Sequence, residues 1–206
     1  RMLGQLETLM VEFIKKPEAR LSELSLLTSD ERRRILLEWN QTTVPISASE
    51  GIHTLIKAQG ERTPEAIAVS CGEESISYQE LNRRVDLVGH ALQRIGVCPN
   101  LPVGLCVERS VDSIVGLLGI LQAGGVYVPL DPSFPDHRLR IMLDDAQVSI
   151  VVTQGHLRSH LHNYGGQVWD VKTLCEPTGI GGGENLTIPV LPDQLAYICL
   201  LYTSPS

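Results

Sequence analysis

Residues 113–132, SIVGLLGILQAGGVYVPLDP, constrain the fold of this chain more than any other stretch. They carry no charge before Asp131, and their period changes midway. Ile114, Val115, Leu117, Leu118 and Leu121 recur as on a helix that is apolar on most sides. Gly124-Gly125 reads as the stop, because glycine reaches the positive φ that a helix C-terminus often uses. Val126-Tyr127-Val128 then favours an extended strand, and Pro129 closes it. An apolar helix feeding straight into an apolar strand predicts a buried sheet with covering helices. The uncharged run is long enough to span a bilayer. Gly116, Gly119, the glycine pair and Pro129 interrupt it, so a soluble core is the expectation.

The rest of the chain alternates around this stretch. Residues 2–16 place Leu3, Leu6, Met10, Phe13 and Ile14 on one helical face, and Pro17 ends the helix. Thr28-Ser29-Asp30-Glu31 is a capping box for a helix to residue 38 or 39. Arg32-Arg33-Arg34 on that helix is balanced by Asp30, Glu31 and Glu38, which predicts a solvated face. Residues 40–50, NQTTVPISASE, form the best boundary in the chain. A helix over 51–59 should turn Ile52, Leu55 and Ile56 inward and stop at Thr63-Pro64. Residues 66–70 and 75–77 read as a hairpin around Gly72. Ser77-Tyr78-Gln79-Glu80 is a second capping box, opening a helix that carries Leu81, Val85, Val88, Leu92 and Ile95 and ends at Gly96. A strand over 102–107 follows, and Ser110 is placed to cap the central helix. Beyond Pro132 the pattern predicts a helix over 136–144 with Leu139, Ile141 and Met142. Strands follow at 148–153, at Val168-Trp169 and over 195–202, with a short helix near Leu157. From residue 66 onward this is the alternation of an α/β fold.

Composition excludes some function classes. With 17 Lys and Arg against 24 Asp and Glu, the formal net charge is −7. An acidic chain argues against nucleic acid or an anionic membrane as main partner. Five cysteines without a C-x-x-C pair suggest reduced thiols and a cytoplasmic location. The chain begins at Arg1 and ends in what reads as a loop, so a piece of something longer is expected. His156, His160 and His162 lack an acidic or cysteine ligand at a recognisable spacing, and no metal site is expected there. Gly179 and residues 181–183 fail as a dinucleotide fingerprint, because Glu184 stands where the third glycine belongs. The tail Tyr202-Thr203-Ser204-Pro205-Ser206 has small hydroxyl residues just after an apolar strand. Such a loop can hold phosphate oxygens, although Ser, Thr and Pro at a chain end also describe an ordinary loop.

Several blocks in order resemble the start of an adenylation domain of a nonribosomal peptide synthetase, preceded by the end of a condensation domain. His53-Thr54-Leu55-Ile56 and Arg62-Thr63-Pro64-Glu65-Ala66-Ile67-Ala68-Val69 are similar to the family's opening. Ser77-Tyr78-Gln79-Glu80-Leu81-Asn82 resembles its first core motif. Leu121-Gln122-Ala123-Gly124-Gly125-Val126-Tyr127-Val128-Pro129-Leu130-Asp131-Pro132 resembles the second, followed by Phe134-Pro135 and Arg138-Leu139. Asp193-Gln194-Leu195-Ala196-Tyr197-Ile198 resembles the lead-in to the phosphate loop. Leu26-Leu27-Thr28 through Trp39-Asn40 looks like the condensation-to-adenylation linker.

The resemblance implies an α/β partial large subdomain of an adenylate-forming enzyme with an N-terminal helical linker segment. Residues 1–27 would be the tail of a condensation domain, 28–48 linker, and 49–206 the first part of the adenylation domain. The implied activity is ATP-dependent activation of an amino acid as its adenylate, with Mg²⁺, and transfer to phosphopantetheine on a carrier domain. Condensation and carrier domains would be the neighbours. Thr203, Ser204 and Ser206 would be the phosphate-holding residues, and no catalytic or metal-binding residue is assigned. The family's pocket and catalytic lysine would lie beyond Ser206, so this stretch alone is expected to be inactive. The tail departs from the family pattern. Cys199-Leu200-Leu201 adds about two residues, and Pro205 stands where glycine is expected, removing an N–H and the positive φ. Two extra residues move the loop by roughly 6 to 7 Å. The alternatives are a non-catalytic docking or scaffold segment, or another adenylate-forming ligase such as an acyl-CoA synthetase.

Overall fold

The computed structural model describes residues 2–43, 51–176 and 194–200. The chain divides into two compact units, Arg1–Ser47 and Ala48–Ser206. In the first unit α1 spans Met2–Lys15. Its predicted apolar face is there but stays outside: Leu3, Leu6, Met10, Phe13 and Ile14 are each more than half exposed. α2, Ser29–Arg33, continues as a π-helical turn over Arg34–Glu38. The Thr28 box closes as expected. Glu31 N–H donates to Thr28 Oγ1 at 3.2 Å, and Thr28 N–H donates to Glu31 Oε2 at 3.0 Å. Arg33 pairs with Glu38 at 3.0 Å on an exposed face, and Arg34 reaches the same carboxylate at 3.8 Å.

The second unit is built on a parallel sheet. α3 (Ile52–Arg62) and an antiparallel hairpin, β1 (Ile67–Cys71) and β2 (Glu74–Ser77), come first. Gly72 turns the hairpin at φ 61°. Then come α4 (Tyr78–Arg94), β3 (Pro102–Cys106), α5 (Val111–Gln122), β4 (Val126–Pro129), α6 (Asp136–Asp145) and β5 (Ile150–Thr153). A 3-10 helix over Gly155–Leu161, β6 (Gln167–Asp170) and α7 (Val171–Leu174) follow. The four strands β3 to β6 are parallel in the order β4-β3-β5-β6. Chain direction across the sheet therefore reverses between β3 and β5.

Strand alternation divides the interior into two layers. Val103, Leu105, Ile150 and Val152 face α4, α5 and α7. Cys106, Val128 and Val151 face α6. α5 is the hub of the first layer. Val111, Val115, Leu118 and Ile120 are no more than 3% exposed, and each such side chain contributes about 1.5–3 kcal/mol by leaving water. Two of its glycines are contact points rather than interruptions. A Cβ on Gly116 would lie 2.8 Å from Leu105 Cδ1, and one on Gly119 would lie 2.8 Å from Val88 Cβ on α4. At Gly119 the close approach of α5 to α4 requires a missing side chain, because Val88 Cβ is a branch point; at Gly116 the neighbour is the movable end of the Leu105 side chain. Gly124, at φ 84°, ends α5 in the left-handed conformation expected of it.

Several sequence expectations need correction. α3 turns His53, Ile56 and Gly60 inward, whereas Ile52 and Leu55 are more than half exposed. The reason is its docking on α4, where Gly60 meets the Asn82 side chain and Asn82 Nδ2 donates to Lys57 O at 3.3 Å. On α6 the buried residues are Leu139, Met142 and Leu143, and Ile141 is 49% exposed. The second capping box is half closed. Glu80 N–H donates to Ser77 Oγ at 3.3 Å, but the Glu80 carboxylate is taken by Arg83 and Arg84. Ser110 occupies the N-cap of α5 without capping it; its hydroxyl donates to Glu108 O at 3.1 Å. The expected last strand is reduced, among the described residues, to one parallel bridge between Tyr197 and Tyr127. Among the described residues no helix is long and apolar enough to cross a membrane.

Candidate functional site

In an open parallel sheet, ligands gather outside the carboxyl ends of the strands, where the order reverses. Here that point lies between β3 and β5, and the protein fills it with its own polar groups. Thr153 Oγ1 donates to Cys106 O at 2.7 Å in a buried bond. Gln154, just past β5 and only 9% exposed, accepts from Glu108 N–H at 3.1 Å through Oε1. Its Nε2 donates to Ser110 Oγ at 3.3 Å and to Asp112 Oδ2 at 3.0 Å. Gln154 therefore fixes the loop between β3 and α5.

The open space lies one strand over. A cleft of about 780 Å³ runs between the start of α5 and the end of β4. Its floor includes Leu105, Leu117 and Tyr127, and Glu108, Arg109 and Asp131 stand at its rim. Asp131 Oδ1 accepts from Ser133 N–H at 2.9 Å. Hydrogen bonds from Ser133, and then the positive charges of Arg109 and Arg138, hold the Asp131 carboxyl below its ordinary range. It is therefore ionised at neutral pH. Arg138 lies 3.9 Å over the Phe134 ring. Cys106 beneath the sheet is no nucleophile, since burial and then Asp131 push its thiol up to about 11. The cleft thus presents the Glu108 and Asp131 carboxylates, the Arg109 guanidinium and the His160 imidazole around an apolar floor.

The three histidines do not converge. His160 Nδ1 lies 3.1 Å from Asp136 Oδ1, His156 Nε2 lies 3.5 Å from Glu108 Oε2, and His162 Nδ1 lies 2.7 Å from Ser159 O. Among the described residues no three His, Cys, Asp or Glu side chains are placed to hold a metal ion. Thr203, Ser204 and Ser206, the residues expected to hold phosphate, lie outside the described residues, as do Gly179 and residues 181–183.

The approach to that tail is described. Tyr127 N–H donates to Ala196 O at 3.0 Å, and Ile198 N–H donates to Tyr127 O at 2.9 Å. The pairing is parallel, so the segment runs with β4 toward the end of the sheet where the cleft opens. Ile198 and Leu200 pack on the α6 side. Two residues of this region are not found by sequence reasoning. Gln154 is a polar residue directly after a β-branched strand. Asn100 follows Pro99, a turn signal that carries no hint of a distant partner.

Residues 56–206 match the family model described as AMP-binding enzyme. The chain is 43% identical over 205 residues, 99% of its length, to a component of the linear gramicidin synthase of Brevibacillus parabrevis. It is 37% identical over 207 residues to gramicidin S synthase 2 of Brevibacillus brevis. The chain spans 4% of the length of each of these relatives. Among solved structures, the nonribosomal peptide synthetase FmoA3 in its AMPPNP-bound form superposes with a TM-score of 0.75 at 30% identity, covering 98% of this chain and 22% of that one. The N-terminal subdomain of Klebsiella oxytoca NpsA, with 3-hydroxybenzoyl-AMSN, shares the fold at a TM-score of 0.65 and 19% identity, over 79% of this chain and 41% of its own.

Proposed function

The chain belongs to the AMP-binding enzymes, and from that premise we propose that residues 49–206 are the first part of an amino-acid-activating adenylation domain in a peptide synthetase. Residues 1–27 are then the tail of a condensation domain, and residues 28–48 join the two. One observation carries the reading beyond the family. The family match begins at residue 56, but the likeness to a linear gramicidin synthase runs through 99% of the chain, including the stretch before it. An acyl-CoA synthetase would have no reason to share that upstream unit.

The reaction is attack of an amino acid carboxylate oxygen on the α-phosphorus of ATP. The new bond forms as the link to the β-phosphate breaks, giving an aminoacyl-adenylate and pyrophosphate. The acyl group then passes to the phosphopantetheine thiol of a carrier domain. Magnesium, when bound, offsets phosphate charge; no described residue is assigned to it. The rim of the cleft, with Glu108 and Asp131, does not suit a polyphosphate. The phosphates fall instead to Thr203, Ser204 and Ser206, approached along β4. Pro205 withholds one N–H from that loop, so residues 202–206 of this chain by itself are expected not to bind nucleotide.

The test is a graft. Residues 49–206 replace the matching stretch of a linear gramicidin synthase module, and the soluble chimera is assayed for amino-acid-dependent ATP–pyrophosphate exchange. Exchange driven by at least one amino acid is expected. A folded chimera that responds only to fatty or aryl acids, or to none, overturns the proposal.

A further inference from the structure

We infer that Asn100 and Gln194 form a clasp that sets the register in which residues 195–200 join the sheet. The clasp stands on described contacts; its functional consequence rests on the adenylation reading above. The need for it follows from the segment itself. Leu195, Tyr197 and Cys199 alternate with Ala196, Ile198 and Leu200, so both faces are apolar or small. A slip by one residue would swap the faces and take Ile198 and Leu200 off the α6-side core. A slip by two keeps every face and moves the chain by roughly 6 to 7 Å. Side-chain pattern alone cannot forbid the second slip.

The geometry at the start of the segment can. Asn100 sits in the turn before β3 at φ 65°, a conformation that Asn tolerates better than most side chains. Its N–H donates to Gly124 O at 3.1 Å. Its Oδ1 accepts from Leu195 N–H at 3.2 Å. Gln194 Nε2 donates to the same Gly124 O at 2.6 Å. Gly124 is itself held at φ 84° where α5 ends. One carbonyl at the corner between α5 and β4 thus gathers both partners, and each names one residue of the incoming segment. A two-residue slip would break the Gln194 and Leu195 bonds together. Asn100 is a positioning residue here: it meets two requirements at once, a left-handed backbone and a side-chain acceptor. Asn and Asp meet both, and glycine meets only the first.

Amide exchange in the 206-residue chain tests this, read by NMR at Ile198, whose N–H donates to Tyr127 O. Asn100→Gly keeps the backbone conformation and removes the acceptor. It should speed Ile198 exchange at least fivefold while amides pairing β3 with β5 stay within twofold. Gln194→Ala should act in the same direction, and Asn100→Asp should keep the wild-type rate. Ile198 exchange within twofold of wild type in both Asn100→Gly and Gln194→Ala overturns the clasp. So does an Asp variant that exchanges as fast as the Gly variant. In the grafted module, Asn100→Gly should raise the KM for ATP at least fivefold with kcat within twofold. An active graft with unchanged KM overturns the consequence for nucleotide placement. A graft inactive with the wild-type residues counts against the adenylation reading, and the exchange result still judges the clasp.

Discussion

Glu80 shows how one side chain can satisfy a local rule in an unexpected way. The spacing from Ser77 marks a helix start, and a helix starts there. The reciprocal half of the box is missing because two guanidinium groups outcompete a single backbone N–H for the carboxylate. Arg83 approaches at 2.8 Å and Arg84 at 2.7 Å. These hydrogen bonds, Arg83 first, draw the Glu80 carboxyl from its ordinary 4.5 down to about 2. A carboxyl depressed in the folded state binds its proton more readily when unfolded. Its stabilisation is therefore complete above about pH 4.5 and lost as pH falls toward 2. Urea midpoints of wild type and Glu80→Gln should differ at pH 6, converge between pH 4.5 and 2, and coincide below. A gap that stays constant down to pH 2.5 would show that the pairing is not the source.

At the level of elements, the crossing of α4 and α5 depends on a missing side chain. Gly119→Ala raises helix propensity by about 1 kcal/mol but drives a methyl group against Val88 Cβ, a branch point that cannot swing aside. Overpacking of this kind costs typically about 1–3 kcal/mol, so a net loss of stability is expected in urea unfolding of the chain. A stabilised variant would mean that the helices separate freely. The same crossing explains what is legible beforehand. The periods of α4 and α5 can be read, because a buried face repeats along the helix itself. The purpose of Gly116 and Gly119 cannot, because the sequence shows a gap without showing what fills it. Ile52, Leu55 and Ile141 mislead for a related reason: a short helix offers more than one apolar direction, and its neighbour chooses among them.

Over the whole molecule the thiols give a compact check. All five cysteines are free. Cys71, Cys98 and Cys199 are exposed, Cys106 is buried, and Cys175 is half-buried. Burial raises both Cys106 and Cys175 to about 11. Ellman's reagent at pH 8 should therefore find three fast thiols and two slow ones, and five fast ones in concentrated urea. Five equally fast thiols in native buffer would contradict the layered core. The candidate site is the least legible part of the chain. Its motif blocks can be placed in order, but Asn100 and Leu195 meet across 95 positions, and no local pattern announces such a pair. That long separation also has a consequence during synthesis. One edge of β4 leaves the ribosome with Tyr127 and waits for Tyr197, 70 residues later. At about 5–20 residues per second the wait is roughly 4 to 14 s. Among the described residues nothing else pairs that edge, so the nascent chain carries an open strand edge meanwhile, the kind of surface that captures other strands.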